Sequence, residues 1–233
     1  MLAWLRPSRS VPVTRWRSPS RWSPTPVSTV VLLLGLTLFG IGESLLVQAG
    51  TGVSPWTVLA QGLSVRLSLP IGTTTFLVGV VVLLLWIPLR ERPGLGTLLN
   101  VVVISAALEA GVRLVPAAEW LPAQIALLLA GIALVGLGSG FYLTANLGPG
   151  PRDGWMTGLH RRTGFPVARV RLGIEVVVLA MGWLLGGTVG LGTVAFALLI
   201  GPAVAQGLAI AGRIGRIQGR ADVTDDEFPE LDA

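Results

Sequence analysis

Residues 30–47 read Val-Val-Leu-Leu-Leu-Gly-Leu-Thr-Leu-Phe-Gly-Ile-Gly-Glu-Ser-Leu-Leu-Val, a run interrupted by a single charge, Glu43. An apolar run of about 18 residues, wound as a helix, is long enough to cross the hydrocarbon core of a bilayer. It is too long for the apolar core of a secretory signal, and further apolar runs follow at 73–89, 95–112, 121–143, 172–185 and 189–211. The stretch therefore reads as a signal anchor retained as the first of several membrane helices. Composition agrees with this. Only 12% of the 233 residues are charged, about half the share of an ordinary soluble domain.

Two shorter stretches separate these runs. Residues 53–69 are broken by Gln61, Gly62 and Arg66, and residues 153–164 are more polar still. Neither is a good bilayer-crossing segment by length and composition. Each half of the chain thus reads long span, glycine-rich turn, short segment, span, span. The halves also share sequence. Gly40-Ile-Gly42 and Gly50-Thr-Gly52 match Gly138-Ser-Gly140 and Gly148-Pro-Gly150 at an offset of 98, and after a two-residue contraction Gly94-Leu-Gly-Thr97 matches Gly190-Leu-Gly-Thr193 at 96. Gly62-Leu63, Arg66 and Pro70 find partners at the same offset of 96.

The expected fold is an all-α polytopic membrane bundle of six principal spans plus two short, partly inserted helices, with an inverted two-fold internal repeat. The repeats cover 27–115 and 116–212. Residues 1–26, rich in Arg, Pro and Trp, and 213–233, basic and then acidic, read as disordered cytoplasmic tails. Six spans with the N-terminus inside place 15 arginines inside and only Arg66 and Arg113 outside. Eight spans, with the short segments crossing and the halves parallel, give a similar bias. Both put the termini in the cytoplasm of a bacterial plasma membrane. The polarity of 153–164 favours six, because unpaired polar groups are costly in lipid.

The turn Gly50-Thr-Gly52-Val-Ser-Pro-Trp56, then Pro70-Ile-Gly72-Thr73, then Gly94-Leu-Gly-Thr97-Leu-Leu-Asn100 resemble, in order and spacing, the YczE/YitT type of bacterial membrane protein. The resemblance covers roughly residues 28–212 and implies a membrane location with little mechanism. It departs from the pattern where Pro149-Gly-Pro-Arg-Asp153 replaces the Ser-Pro-Trp turn.

Without cysteine there is no disulfide, thiol catalysis or thiolate metal site, and the single histidine, His160, lacks companions for a metal or a triad. No lysine is present, so the glycines form no phosphate-binding P-loop. The 17 arginines mostly flank apolar runs, which fits membrane orientation and not nucleic-acid binding. Neither cofactor nor enzymatic activity is expected.

The candidate solute or coupling residues are Glu43, Gln48, Ser54, Asn146 and Asp153, with backbone bends at Gly50, Gly52, Gly148 and Gly150. Glu43 lies well inside the first span with no basic residue within a helical turn. Interhelical pairing with Arg66 or Arg152 is its alternative explanation. At the offset of 98 it faces Phe141, while Gln48 and Asn146 are equivalent. Ser54 and Asp153 are expected to cap short helices, with Pro55 at the first position of one. Glu109 with Arg113, and Glu175 with Arg171, are expected to form i,i+4 ion pairs. Gly136/Gly140, Gly182/Gly186 and Gly186/Gly190 have the spacing of close helix contacts in the bundle, or of a homodimer face. The function expected is transport of a small solute. A membrane accessory protein that positions a partner is the alternative.

Overall fold

The computed structural model describes residues 10–216. These residues form helices and connecting segments, with no strand among them. In order the helices are α1 (Pro26–Ala49), α2 (Pro55–Leu67), α3 (Ile71–Leu84), α4 (Trp86–Leu89), α5 (Leu95–Leu114), α6 (Leu121–Thr144), α7 (Pro151–Thr163), α8 (Val167–Leu184) and α9 (Leu191–Ile214). Five are long and apolar enough to cross a membrane: α1, the continuous stretch Ile71–Leu89, α5, α6 and α9. The remaining long helix, α8, carries Arg169, Arg171 and Glu175 in its first half.

Local sequence explains the boundaries. At the start of α1, Thr25 and Ser28 exchange capping hydrogen bonds and Pro26 occupies the first turn, where its missing N–H has no helical partner to lose. The Gly-Leu-Gly-Thr sequence opens both α5 and α9. In each, the threonine hydroxyl accepts from the backbone N–H three residues back, Gly94 to Thr97 at 3.1 Å and Gly190 to Thr193 at 3.3 Å. Helix α1 ends on Gly50 at φ 67°, a left-handed cap that glycine adopts at little cost.

Small residues bring the central helices together. Helices α1 and α6 cross in opposite directions: Gly35 packs beside Gly138 and Tyr142, whereas Gly42 packs beside Gly131 and Val135. Without side chains at these points the backbones approach closely and gain dispersion contact, the main attraction available between helices in lipid. Gly136 and Gly140 are spent against Ala203 and Gly207 of α9, and Gly182 against Val58 and Leu59 of α2. These glycine faces lie inside the bundle.

The contacts recur with a constant shift of 96 residues, their partners exchanged. Gly35 on Gly138 returns as Gly131 on Gly42, Gly40 on Ala107 as Gly136 on Ala203, and Ser44 on Gly111 as Gly140 on Gly207. The backbone follows the same register. Left-handed residues occur as Gly50 and Asn146, Gly52 and Gly148, Ser68 and Gly164, Arg90 and Gly186. Gly96 N–H donates to Leu147 O at 2.7 Å, and Gly192 N–H to Thr51 O at 2.8 Å, so each bend docks on the Gly-Leu-Gly-Thr turn of the other half. These contacts recur at 96 throughout, where the sequence reading placed the first span at 98; at 96, Glu43 corresponds to Ser139 and Asn146 to Gly50. Glycine pairs at a spacing of two invite this slip, since Gly40/Gly42 align with Gly138/Gly140 by identity alone.

The expected disorder of 1–26 does not hold for the part the structure describes; residues 1–9 and the acidic tail from 217 lie outside it. Residues 10–25 form a strap over one end of the bundle. Trp16 is 4% exposed and donates through Nε1 to Thr144 Oγ1 at 3.1 Å. Thr14 Oγ1 donates to Thr144 O, Arg15 N–H to Gly215 O, and Trp22 Nε1 to Pro93 O. The prolines that suppress helix formation here leave a turn-containing, non-helical backbone, several of whose polar groups pair with the ends of α6, α9 and α5.

Candidate functional site: a cavity within the helical bundle

The bundle holds a cavity of about 490 Å³, large enough for a small organic molecule. Positions 96 residues apart line it together: Phe39 and Val135, Glu43 and Ser139, Trp56 and Arg152, Val78 and Ile174, Ile104 and Ile200. The scaffold is matched, but the chemistry is not. Of the charged lining residues only Glu43 belongs to the first half. Arg152, Asp153, Arg171 and Glu175 belong to the second, where the first half has Trp56, Thr57, Thr75 and Gly79.

Glu43 is 2% exposed on α1. Thr57 Oγ1 donates to its Oε2 at 2.7 Å, and Ser54 Oγ lies 3.1 Å from each carboxylate oxygen. A buried carboxylate is tolerable only with such donors around it. Both hydroxyls come from the start of α2, whose N-terminal dipole also favours a negative group. Ser54 is the N-cap residue of α2 and Pro55 its first residue, yet the Ser54 side chain makes no capping bond.

In the second half the acid has moved onto the short helix. Tyr142 OH donates to Asp153 Oδ2 at 3.3 Å. Asp153 lies within the first turn of α7 and does not cap it; Gly150 is the N-cap. Gly150 is not a left-handed bend either, at φ −61°. Glycine suits it because a Cβ there would sit 3.2 Å from Asp153 Oδ2. The guanidinium carbon of Arg152 lies 5.0 Å from the Trp56 ring centroid, a cation–π contact, and no ion pair forms between Arg152 and Glu43 within 4.0 Å. Arg171 and Glu175 pair at 3.0 Å on the cavity wall.

The other sequence candidates fall elsewhere. Gln48 Nε2 donates to Val112 O at 2.8 Å and also to Val115 O, and Asn146 Nδ2 to Ser18 O at 2.8 Å. Both amides satisfy backbone carbonyls and neither lines the cavity. Gly50, Gly52 and Gly148 do take left-handed conformations, at φ 67°, 108° and 118°. Arg66 is exposed, leaving Arg152 as the basic residue facing Glu43. Glu109 pairs with Arg113 at 2.7 Å and also accepts from Gly72 N–H at 2.9 Å. His160 does not line the cavity; its Nδ1 lies 2.6 Å from Phe165 O. Among the described residues no group of His, Cys, Asp and Glu has the arrangement of a metal site.

Sequence reading missed Trp56, Asn100, Ser105, Tyr142 and Arg152 as cavity residues, and read Arg171 with Glu175 as an i,i+4 ion pair without placing it at the cavity. The usable signal was present. At an offset of 96, Trp56/Arg152, Thr57/Asp153 and Thr75/Arg171 are positions where an uncharged residue in 27–115 faces a charged one in 116–212.

Five apolar helices of spanning length packed in one bundle define a multi-pass helical membrane protein. The chain belongs to the family described as a family of unknown function, DUF6198, which its residues 27–207 match. It is 42% identical over 209 residues to an uncharacterized protein of Haemophilus influenzae, covering 90% of this chain and 96% of that protein. It is 32% identical over 182 residues to the uncharacterized membrane protein YczE of Bacillus subtilis, covering 78% of this chain and 82% of YczE. The YczE side of the expected resemblance is thus correct. No solved structure matches the chain.

Proposed function

We propose that this protein is a small-solute transporter or exporter of a bacterial plasma membrane, with six spans in two inverted halves and both termini in the cytoplasm. On this reading the central cavity is the solute site, and the solute crosses without chemical change. One observation carries it: the cavity is lined by equivalent positions of two halves whose contacts recur 96 residues apart with partners exchanged. A site on a pseudo-two-fold axis in the membrane plane sees the same protein from either side, so rocking one half against the other exposes it alternately. The opposite directions of α1 and α6 support inverted over parallel halves, and α8 is the sixth span. Its early charges face the cavity at Arg171 and Glu175, which reduces their cost in lipid.

The cysteine-free chain makes the test direct. Ser105→Cys and Ser139→Cys place single thiols in the cavity, and Arg92→Cys places one in the loop before α5. Membrane-impermeant maleimides applied from either side should label both cavity thiols, in turn, and Arg92→Cys only from the cytoplasm. Labelling of the cavity thiols from one side only would mean a fixed pocket and would favour the accessory-protein reading. External labelling of Arg92→Cys would remove the six-span arrangement.

A further inference from the structure

Charge inventory narrows what the cavity accepts. The titratable groups facing it are Glu43 from α1, Tyr142 from α6, Arg152 and Asp153 from α7, and Arg171 and Glu175 from α8. The lining residues from α2, α3, α5 and α9 add no charge. Arg171 and Glu175 neutralise one another at 3.0 Å. That leaves two carboxylates, Glu43 and Asp153, and one guanidinium, Arg152. With all three ionised the interior carries one uncompensated negative charge, which a low-dielectric site tolerates poorly.

A second, independent feature points the same way. Thr75 Oγ1 is buried in the wall with no hydrogen-bond partner. A buried polar atom left unpaired is costly, so this oxygen marks a place where a ligand donor belongs. Around it the wall is apolar, with Phe39, Ile104, Val135 and Phe196. An inorganic divalent ion needs about six converging oxygen ligands, and among the described residues no group of carboxylates is arranged to hold one. A protonated amine on an apolar body fits all three features. It supplies one positive charge, an N–H donor for Thr75, and hydrocarbon for the wall.

Resting on the transporter reading for its physiological meaning, we infer that the cavity binds a small monovalent organic ammonium compound and exchanges it for a proton on one of its two carboxylates, Glu43 or Asp153. Amine and proton answer the same charge deficit, so occupancy by one displaces the other. Arg152, held on Trp56, keeps the deficit at one charge and sets the preference for monovalent over divalent cations.

Binding to the purified full-length protein in detergent tests this without any transport measurement. Phenethylammonium, 2-phenylethanol and phenylacetate present nearly the same body with positive, neutral and negative ends. Calorimetry should detect the ammonium compound and bind the other two at least about tenfold more weakly. Repeating the titration in buffers of different ionisation enthalpy should show proton release on binding. Glu43→Gln and, separately, Asp153→Asn should each weaken the ammonium compound by about tenfold or more while gel filtration stays unchanged. Equal binding of the alcohol, preference for phenylacetate, or absence of binding by all three would overturn the inference. So would ammonium binding with no proton release. Because the three compounds are compared on the unaltered protein, a poorly folded variant does not decide the outcome. Failure here leaves two-sided access to Ser105→Cys and Ser139→Cys untouched, and one-sided access leaves the binding result untouched.

Discussion

The guanidinium carbon of Arg152 lies 5.0 Å from the centroid of the Trp56 ring, and each residue is the second of its own short helix, directly after a proline. The two are 96 positions apart, the spacing at which every other matched contact recurs. In the two inverted halves proposed above, residues that correspond and also touch lie beside the axis that relates them. Trp56 is itself braced by Trp155, edge to face, with centroids 6.1 Å apart. Arg152 is therefore positioned by packing, with its charge left facing the cavity.

That arrangement predicts a measurable coupling. A double-mutant cycle of Trp56→Leu and Arg152→Met, followed by thermal unfolding in detergent, should give a coupling energy of about 0.5–2 kcal/mol, the range of partly desolvated cation–π contacts. Trp56→Phe should keep most of it. Additive single effects would mean that the ring merely fills space.

Glu43 should behave as an acceptor first. Glu43→Gln retains a carbonyl oxygen for Thr57 and Ser54, so stability should change by less than about 1 kcal/mol. Glu43→Leu leaves the two hydroxyls only each other and should cost about 1–3 kcal/mol. The comparison is read as the difference in midpoint temperature between the two variants at one pH. Equal midpoints would show that the hydroxyls do not depend on this residue.

The two bends should differ in tolerance although both are glycine. Gly50 has open space where a Cβ would go, so Gly50→Asn should cost well under about 1 kcal/mol, as Asn146 already holds the equivalent place at φ 58°. At Gly52 a Cβ would come within 2.6 Å of Gly190 N and 2.7 Å of Thr193 Oγ1, on top of a φ of 108°. Gly52→Ala should therefore separate the bend from α9 and cost about 3 kcal/mol or more, seen as loss of a sharp unfolding transition.

The strap gives a further check. Trp16→Ala removes a buried indole and its bond to Thr144, and should lower stability by about 3 kcal/mol. Trp22→Ala, 58% exposed, should cost much less. If the two variants melt alike, the strap does not hold the end of the bundle.

Helix existence was legible because hydrophobic run length is a local property. The apolar runs from 30 to 211 correspond to α1, α3 with α4, α5, α6, α8 and α9, and the polar stretches 53–69 and 153–164 contain α2 and α7. Pro55 at the start of α2, and the two i,i+4 ion pairs, were readable for the same reason. Register was not legible. Glycine pairs match glycine pairs at more than one offset, and only the packing of Gly40 on Ala107 against Gly136 on Ala203 selects one.

The amino-acid order alone determined that this chain enters a bilayer as helices and that one carboxylate, Glu43, lies deep in the first of them. Transfer of apolar runs into lipid needs no knowledge of neighbours. Which polar groups share a cavity was decided only by tertiary structure, since Glu43, Ser54, Tyr142 and Arg152 come from four different elements. Antiparallel crossing of α1 and α6 brings them together, and the same crossing leaves Gln48 and Asn146 outside, bonded to backbone carbonyls.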